Sequence, residues 1–249
     1  MEEHEIRWRL EIAPLLESLP VAEVAVLARR AVPRWLEQGE PVLVQGTPPS
    51  SLAFVVDGCV AVGAVSPEGR QAILALRGPG EIVGENGLFQ PRCRPGSFEA
   101  WGDPGGSEEP CPPFLPGAWA RSPGRVLFLG LESVQPLVWR YASFARALAE
   151  LAQERWEETA ERLADLLLGG VSARVRSVLA RLAQASGVAH ADGTLISLPV
   201  TQGDIAAMIG TSRESVNRSL AGLAASGEVR VADRRHLVIR RPMGREASA

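Results

Sequence analysis

Two short helices written back to back, each with its own start and stop, constrain this chain more than any other feature. Thr201 stands as an N-cap before Gln202-Gly203-Asp204-Ile205-Ala206-Ala207-Met208-Ile209, and Ile205, Met208 and Ile209 fall on one face. Gly210 breaks that helix, and Thr211-Ser212 opens a second one from Arg213 to beyond Leu220, with Val216, Leu220 and Leu223 directed inward. The spacing predicts a helix-turn-helix. Glu228-Val229-Arg230-Val231 and His236-Leu237-Val238-Ile239 follow as the two strands of a wing.

The second helix keeps Arg213, Glu214, Asn217 and Arg218 on its polar side. Arginine can donate two parallel hydrogen bonds to guanine, and glutamate can accept from the cytosine amino group, so these residue types at a helix N-terminus suit the major groove. Ser212, Ser215 and Thr201 suit phosphate contacts. An Arg-Glu pair on a lone helix is commonly a solvated face; the complete motif with its wing favours base reading by Arg213, Glu214 and Arg218. Charge agrees: residues 171–249 hold eleven Arg against six acidic residues, within a chain of net charge -3.

The rest of the 249 residues divides by changes in periodicity. Residues 12–30 predict one amphipathic helix through Leu15, Leu16, Leu19, Val24 and Leu27. From Val42 to Val83 short β-branched stretches alternate with turn signals, and Asp57-Gly58 predicts a hairpin. Residues 91–124, with eight Pro and six Gly, predict a long irregular insertion, after which Val126-Leu127-Phe128-Leu129 closes the β module. Helical periodicity then runs from about Val134 to Leu168. Leu137, Tyr141, Phe144, Leu148 and Leu151, continued by Arg155, Thr159 and Leu163, form a heptad stripe. Either the globular core covers that stripe or a second copy does, as a parallel helix pair. Gly169-Gly170 predicts a helix end or hinge, residues 173–186 a further helix, and the stretch around His190 and Asp192-Gly193 a loop. The expected fold class is α+β, with domains at 1–133, 134–168 and 169–242 and a tail at 243–249.

The residues from Thr201 to Ile205 and from Gly210 to Arg218 closely resemble the signature of the CRP/FNR superfamily of bacterial transcription regulators. The resemblance implies a cyclic-nucleotide-binding-like antiparallel β-roll, a long dimerisation helix over 134–168, a hinge at Gly169-Gly170, and a C-terminal winged helix-turn-helix with Arg174 near its start. It implies a homodimer on double-stranded DNA, with RNA polymerase as a further partner, and the Arg213, Glu214, Arg218 pattern implies half-sites of the TGTGA kind. Gly203 stands where relatives carry a phosphate-contacting Gln. Residues 78–89 resemble the family's phosphate-binding cassette, so Gly84, Glu85, Arg94 and Thr159 form the candidate effector pocket. A carboxylate there would accept from a ribose hydroxyl, and an Arg would neutralise the cyclic phosphate. Pro95 replaces the usual Ser or Thr and offers neither hydroxyl nor amide proton, and Ala160 replaces a Ser. The expectation is a degenerate pocket, and hence a regulator independent of cyclic AMP or answering another signal, with a cyclic AMP-dependent activator as the alternative and a haem- or thiol-based sensor regulator as a further one.

Other chemistries find little support. Cys59, Cys93 and Cys111 are too few and too dispersed for an iron-sulfur cluster or a closed zinc site, and a thiol switch at Cys93 and Cys111 is no better supported than two loop cysteines. His4, His190 and His236 lie outside the β-roll and long helix, where a haem ligand is needed. No nucleophile-base pair or phosphate loop suggests an enzyme. The acidic N-terminus and the absence of a membrane-length apolar run predict a cytoplasmic protein.

Overall fold

A computed structural model describes residues 1–89, 116–231 and 236–240. The chain forms two compact units, one of Met1–Val65 with Leu76–Gln153, the other of Ser66–Ala75 with Glu154–Ala249.

In the first unit, proline divides the expected helix over 12–30. The chain forms α1 (Glu3–Glu11), a single 3-10 turn at Leu16–Ser18 and α2 (Val21–Arg30). Pro14 and Pro20 remove amide donors between them, and Pro20 becomes the N-cap of α2, where a missing amide matters little. Strands β1 (Val32–Leu36), β2 (Pro41–Leu43), β3 (Ser51–Val55), β4 (Cys59–Val65), β5 (Gln71–Arg77), β6 (Ile82–Val83), β7 (Gly117–Ser122) and β8 (Gly124–Gly130) follow, most of β5 falling in the Ser66–Ala75 segment of the other unit. They make two antiparallel sheets, in the orders β1-β8-β3-β6 and β2-β7-β4-β5. β1, unexpected from its Pro-Arg-Trp content, lies at an edge, the place where a strand tolerates proline.

Between the sheets lie Leu36, Val42, Ala53, Val55, Val60, Ala118, Ala120 and Val126. Leu52, Phe54, Leu127 and Leu129 face the other way and pack with Ile6, Leu10, Val24 and Leu27 from α1 and α2. β3 is therefore buried on both faces, which explains why Leu52-Ala53-Phe54-Val55 reads as a continuous apolar run instead of an alternation.

Two expectations are corrected here. Asp57-Gly58 is a turn, with Gly58 at φ 83°, but it carries the chain from one sheet to the other and makes no hairpin, since β3 pairs with β8 and β6 while β4 pairs with β7. β7 to β8 makes the same crossing beside it. A Cβ on Gly124 would sit 2.2 Å from the Asp57 carbonyl, and one on Gly58 2.7 Å from the Pro123 carbonyl, so the two corners fit only as glycines back to back. The expected irregular segment 91–124 also ends early: Gly117–Ser122 is a strand paired with both β2 and β4. Pro116 and Pro123 bracket it and mask it in the sequence. Arg94, Cys93 and Cys111 lie outside the described residues; Cys59 is buried in β4.

The long helix is two helices. α3 (Leu131–Arg140) ends where Tyr141 leaves helical geometry at φ -120°, ψ 104°, and α4 (Ala142–Leu168) begins at once. The Tyr141 hydroxyl donates to Glu23 at 2.8 Å, Arg140 pairs with the same carboxylate at 3.1 Å, and the Ser143 hydroxyl donates to the Ser18 carbonyl, pinning the break to the N-terminal helices. Of the heptad stripe, Leu137, Phe144 and Leu148 are buried by the unit's own core and Leu151 packs against it. Beyond that point Trp156, Leu163, Leu167 and Leu168 are exposed.

The second unit holds α5 (Val171–Ser186), β9 (Gly187–His190), β10 (Gly193–Ile196), α6 (Gln202–Ile209), α7 (Arg213–Ala225), β11 (Val229–Val231) and β12 (Leu237–Ile239). The expected loop at His190 is a hairpin, with Gly193 opposite His190 and Asp192-Gly193 at its tight end. The sheet order is β11-β12-β10-β9, and Val229 pairs with Ile239 across the wing. Val175, Val178, Leu179 and Leu182 of α5 are buried, as their spacing predicted.

Candidate nucleic-acid interface

Thr201 caps α6 by accepting from the Asp204 amide, while the Thr201 amide and hydroxyl both donate to the Asp204 carboxylate at 2.8 and 2.7 Å. This reciprocal box is made by a carboxylate only 4% exposed. Both donors of Thr201 thus anchor the start of the helix. Asp204 is the residue beside the candidate interface whose structural role the sequence pattern did not bring forward. Its signal was a Thr followed three positions later by an acid, at the head of an apolar helix.

Gly210 then takes the left-handed conformation, φ 62°, and Thr211 donates its amide back to the Ala206 carbonyl, turning the chain within three residues. Ser212 caps α7 by accepting from the Ser215 amide at 3.2 Å, and its hydroxyl donates to that of Ser215. Val216, Leu220 and Leu223 are buried and set the roll of the helix, which leaves Arg213, Glu214, Asn217 and Arg218 exposed on the first turns. The Glu214 carboxyl is held below its usual range, first by its own backbone amide and then by the Ser212 hydroxyl, with Arg213 adding to the effect. A charged acceptor therefore stands between two guanidinium donors at the positive end of a helix dipole. Behind it, Arg174 donates to the Ile209 carbonyl at 2.9 Å and satisfies the end of α6, and Arg176 pairs with Glu228 at the foot of the wing.

The candidate effector residues are distributed differently. Gly84 has φ 93°, and a Cβ there would lie 2.6 Å from the Ser51 carbonyl, so the backbone at this point excludes any side chain. Glu85, itself buried, follows it at the start of a 3-10 turn (Glu85–Leu88). Ahead of them Glu81 accepts from the Gly78 amide at 2.7 Å and from Arg77, which closes the preceding turn. Thr159 belongs to the second unit, is exposed, and donates its hydroxyl to the Arg155 carbonyl one turn back. Among the described residues no group of three His, Cys, Asp or Glu could hold a metal ion, and no helix is long and apolar enough to cross a membrane.

Comparison with known proteins agrees with this division. Residues 173–244 match the Crp-like helix-turn-helix domain, and residues 33–103 match the cyclic nucleotide-binding domain. The chain is 26% identical over 219 residues to a CRP-like cAMP-activated global transcriptional regulator of Mycobacterium tuberculosis, covering 88% of this chain and 89% of that protein. It is 29% identical, with the same coverage, to the cyclic AMP receptor protein of Thermus thermophilus. Its fold is similar to that of FixK2 from Bradyrhizobium japonicum, with a TM-score of 0.67 at 20% identity, over 85% of this chain and 93% of that one.

Proposed function

Because the chain belongs to the CRP/FNR family of DNA-binding transcription regulators, we propose that it acts as a homodimer on a palindromic site with TGTGA-like half-sites. The observation that carries this reading is the first turn of α7, where Arg213, Glu214 and Arg218 stand exposed on a helix whose opposite face is fully buried. Arg213 and Arg218 donate to guanines, Glu214 accepts from a cytosine, and Ser212 and Ser215 lie closest to the phosphates. Thr201 contributes indirectly, by holding α6. The exposed Trp156, Leu163 and Leu167 on the far half of α4 support pairing with a second copy of that helix. Two recognition helices then meet the DNA about one turn apart. RNA polymerase is the downstream partner, and the cytoplasm the place of action, that such a regulator requires.

For the signal, the proposed state is a degenerate pocket. Gly84 and Glu85 keep the shape of a ribose-binding turn, but Pro95 and Ala160 remove two polar groups from the nucleotide's side, and the Thr159 hydroxyl is spent on its own helix. The protein then binds DNA without cyclic AMP or under another signal. The names of the Mycobacterium and Thermus relatives favour a second reading, in which cyclic AMP still activates it. Haem is disfavoured, since His190 and His236 lie in or beside the strands of the second unit and His4 in α1.

Fluorescence anisotropy of a TGTGA palindrome, with and without cyclic AMP and against a scrambled duplex at fixed salt, separates these readings. Sequence-selective binding that is unchanged by the nucleotide is the expected result. Binding that requires cyclic AMP would establish the second reading, and no preference over the scrambled duplex would sink both.

A further inference from the structure

The Gly169-Gly170 link between α4 and α5 is bridged by side chains. Asp165, on the last turn of α4, accepts from the Ser177 hydroxyl and from Arg181 at 2.7 Å, and Arg181 donates also to the Ser177 oxygen at 2.8 Å. The Arg181 and Asp165 side chains are only 15% and 23% exposed, so salt screens this pair less than a surface pair. Both glycines have a specific character. A Cβ on Gly169 would lie 2.8 Å from the Asp165 carbonyl, whereas Gly170, at φ -69° and ψ 166°, has open space around it and no need of a glycine conformation. Left to itself such a link swivels.

The latch reaches the DNA-reading elements. Arg174, one turn into α5, donates to Ile209 at the end of α6, and Asp165, Leu166, Arg174, Arg181, Met208 and Ile209 line one shallow depression. The last turns of α4 are thereby tied to α5, and α5 to the helix that immediately precedes the recognition helix. All of these residues lie in one compact unit.

We propose that Asp165 is a positioning residue that sets which half-site spacing the protein accepts. The inference rests on the dimeric, palindrome-reading function above. A dimer held on two half-sites gains from the second contact only as far as its geometry allows both at once. With the latch closed, the angle between α4 and the reading head is fixed, and one spacing is favoured. With it open, the glycine pair lets each head swing, so wrong spacings are accepted and the right one gains less. A single half-site is expected to be indifferent to the latch, because the bonds that make it, from Ser177 and Arg181 to Asp165, join α4 to α5 and not to α7.

The experiment measures full-length wild type, Asp165→Ala and Asp165→Ala/Gly170→Ala on a ladder of duplexes. The two half-sites are moved apart or together in single base pairs, beside a duplex carrying one half-site. Wild type is expected to prefer its best spacing over one shifted by two base pairs by about tenfold or more. Asp165→Ala is expected to flatten that preference to about twofold while binding the single half-site as wild type does. Adding Gly170→Ala, which stiffens the link without a clash, should restore part of the selectivity. An unchanged spacing profile in Asp165→Ala overturns the proposal, and so does an equal loss on the single half-site, which marks a merely structural role. A wild-type protein without preference for any palindrome would instead remove the function on which the proposal rests.

Discussion

Glu214 gains from the position it holds at the head of α7. Its carboxyl lies below the ordinary carboxylate value because its backbone amide and the Ser212 hydroxyl favour the charged form. A depressed carboxylate contributes what it does above its unfolded value and loses it only as pH falls through the lower folded value. Preference for the cytosine opposite Glu214 should therefore stay constant from pH 8 to pH 5. A carbon-detected NMR titration is expected to place the Glu214 midpoint below that of an ordinary glutamate, and a midpoint at or above it would contradict the capped geometry. Arg213→Ala should lose about 1–3 kcal/mol of discrimination at one guanine, seen in competition between cognate and single-base-changed duplexes. The exposure of Arg213, Glu214 and Arg218 was legible in the sequence because cap, break and apolar face fix the roll of α7 without tertiary help. What the sequence did not declare is that the Thr201 amide and hydroxyl both donate to Asp204, since a capping box shows only once the helix is formed. Asp204→Ala removes the carboxylate that accepts from the Thr201 amide and hydroxyl and should cost about 1–2 kcal/mol in urea unfolding.

At the scale of elements, sequence reading succeeded where one local period decides and failed where a partner does. α5, α6, α7 and the wing strands follow from spacing and caps alone. The Asp57-Gly58 turn was recognised, yet its destination was not, because a two-residue turn says nothing about which sheet receives the next strand. That choice is made by Gly124, distant in sequence, against which Gly58 packs. β7 was hidden by its flanking prolines, and the break at Tyr141 by a heptad stripe that runs through it without interruption. The corner offers a direct check. Gly124→Ala drives a methyl into the Asp57 carbonyl and should destabilise the first unit by about 2 kcal/mol or more, measured by the shift of its urea midpoint, whereas Gly170→Ala alone should leave stability unchanged or slightly raised.

At the scale of the whole molecule, the stripe admits two readings, and core burial accounts only for its first half. Up to Leu151 the core covers the apolar residues; past it Trp156, Leu163 and Leu167 remain exposed, on the segment proposed to pair with a second copy. Leu163→Arg is expected to shift the protein from dimer to monomer in sedimentation at micromolar concentration and to weaken palindrome binding far more than half-site binding. What stays illegible at this scale is the effector, since a pocket is made by residues that only the fold assembles and Arg94 lies outside the described residues. One feature also bears on how the chain can be taken apart. One of the three boundaries between the two units falls at Gln153–Glu154, inside α4, a helix about 40 Å long. A protease finds no slack linker at that boundary. A fragment started after Gly170, the natural place to trim the reading head for separate study, would carry α7 intact and leave Arg181 and Ser177 facing the place that Asp165 filled.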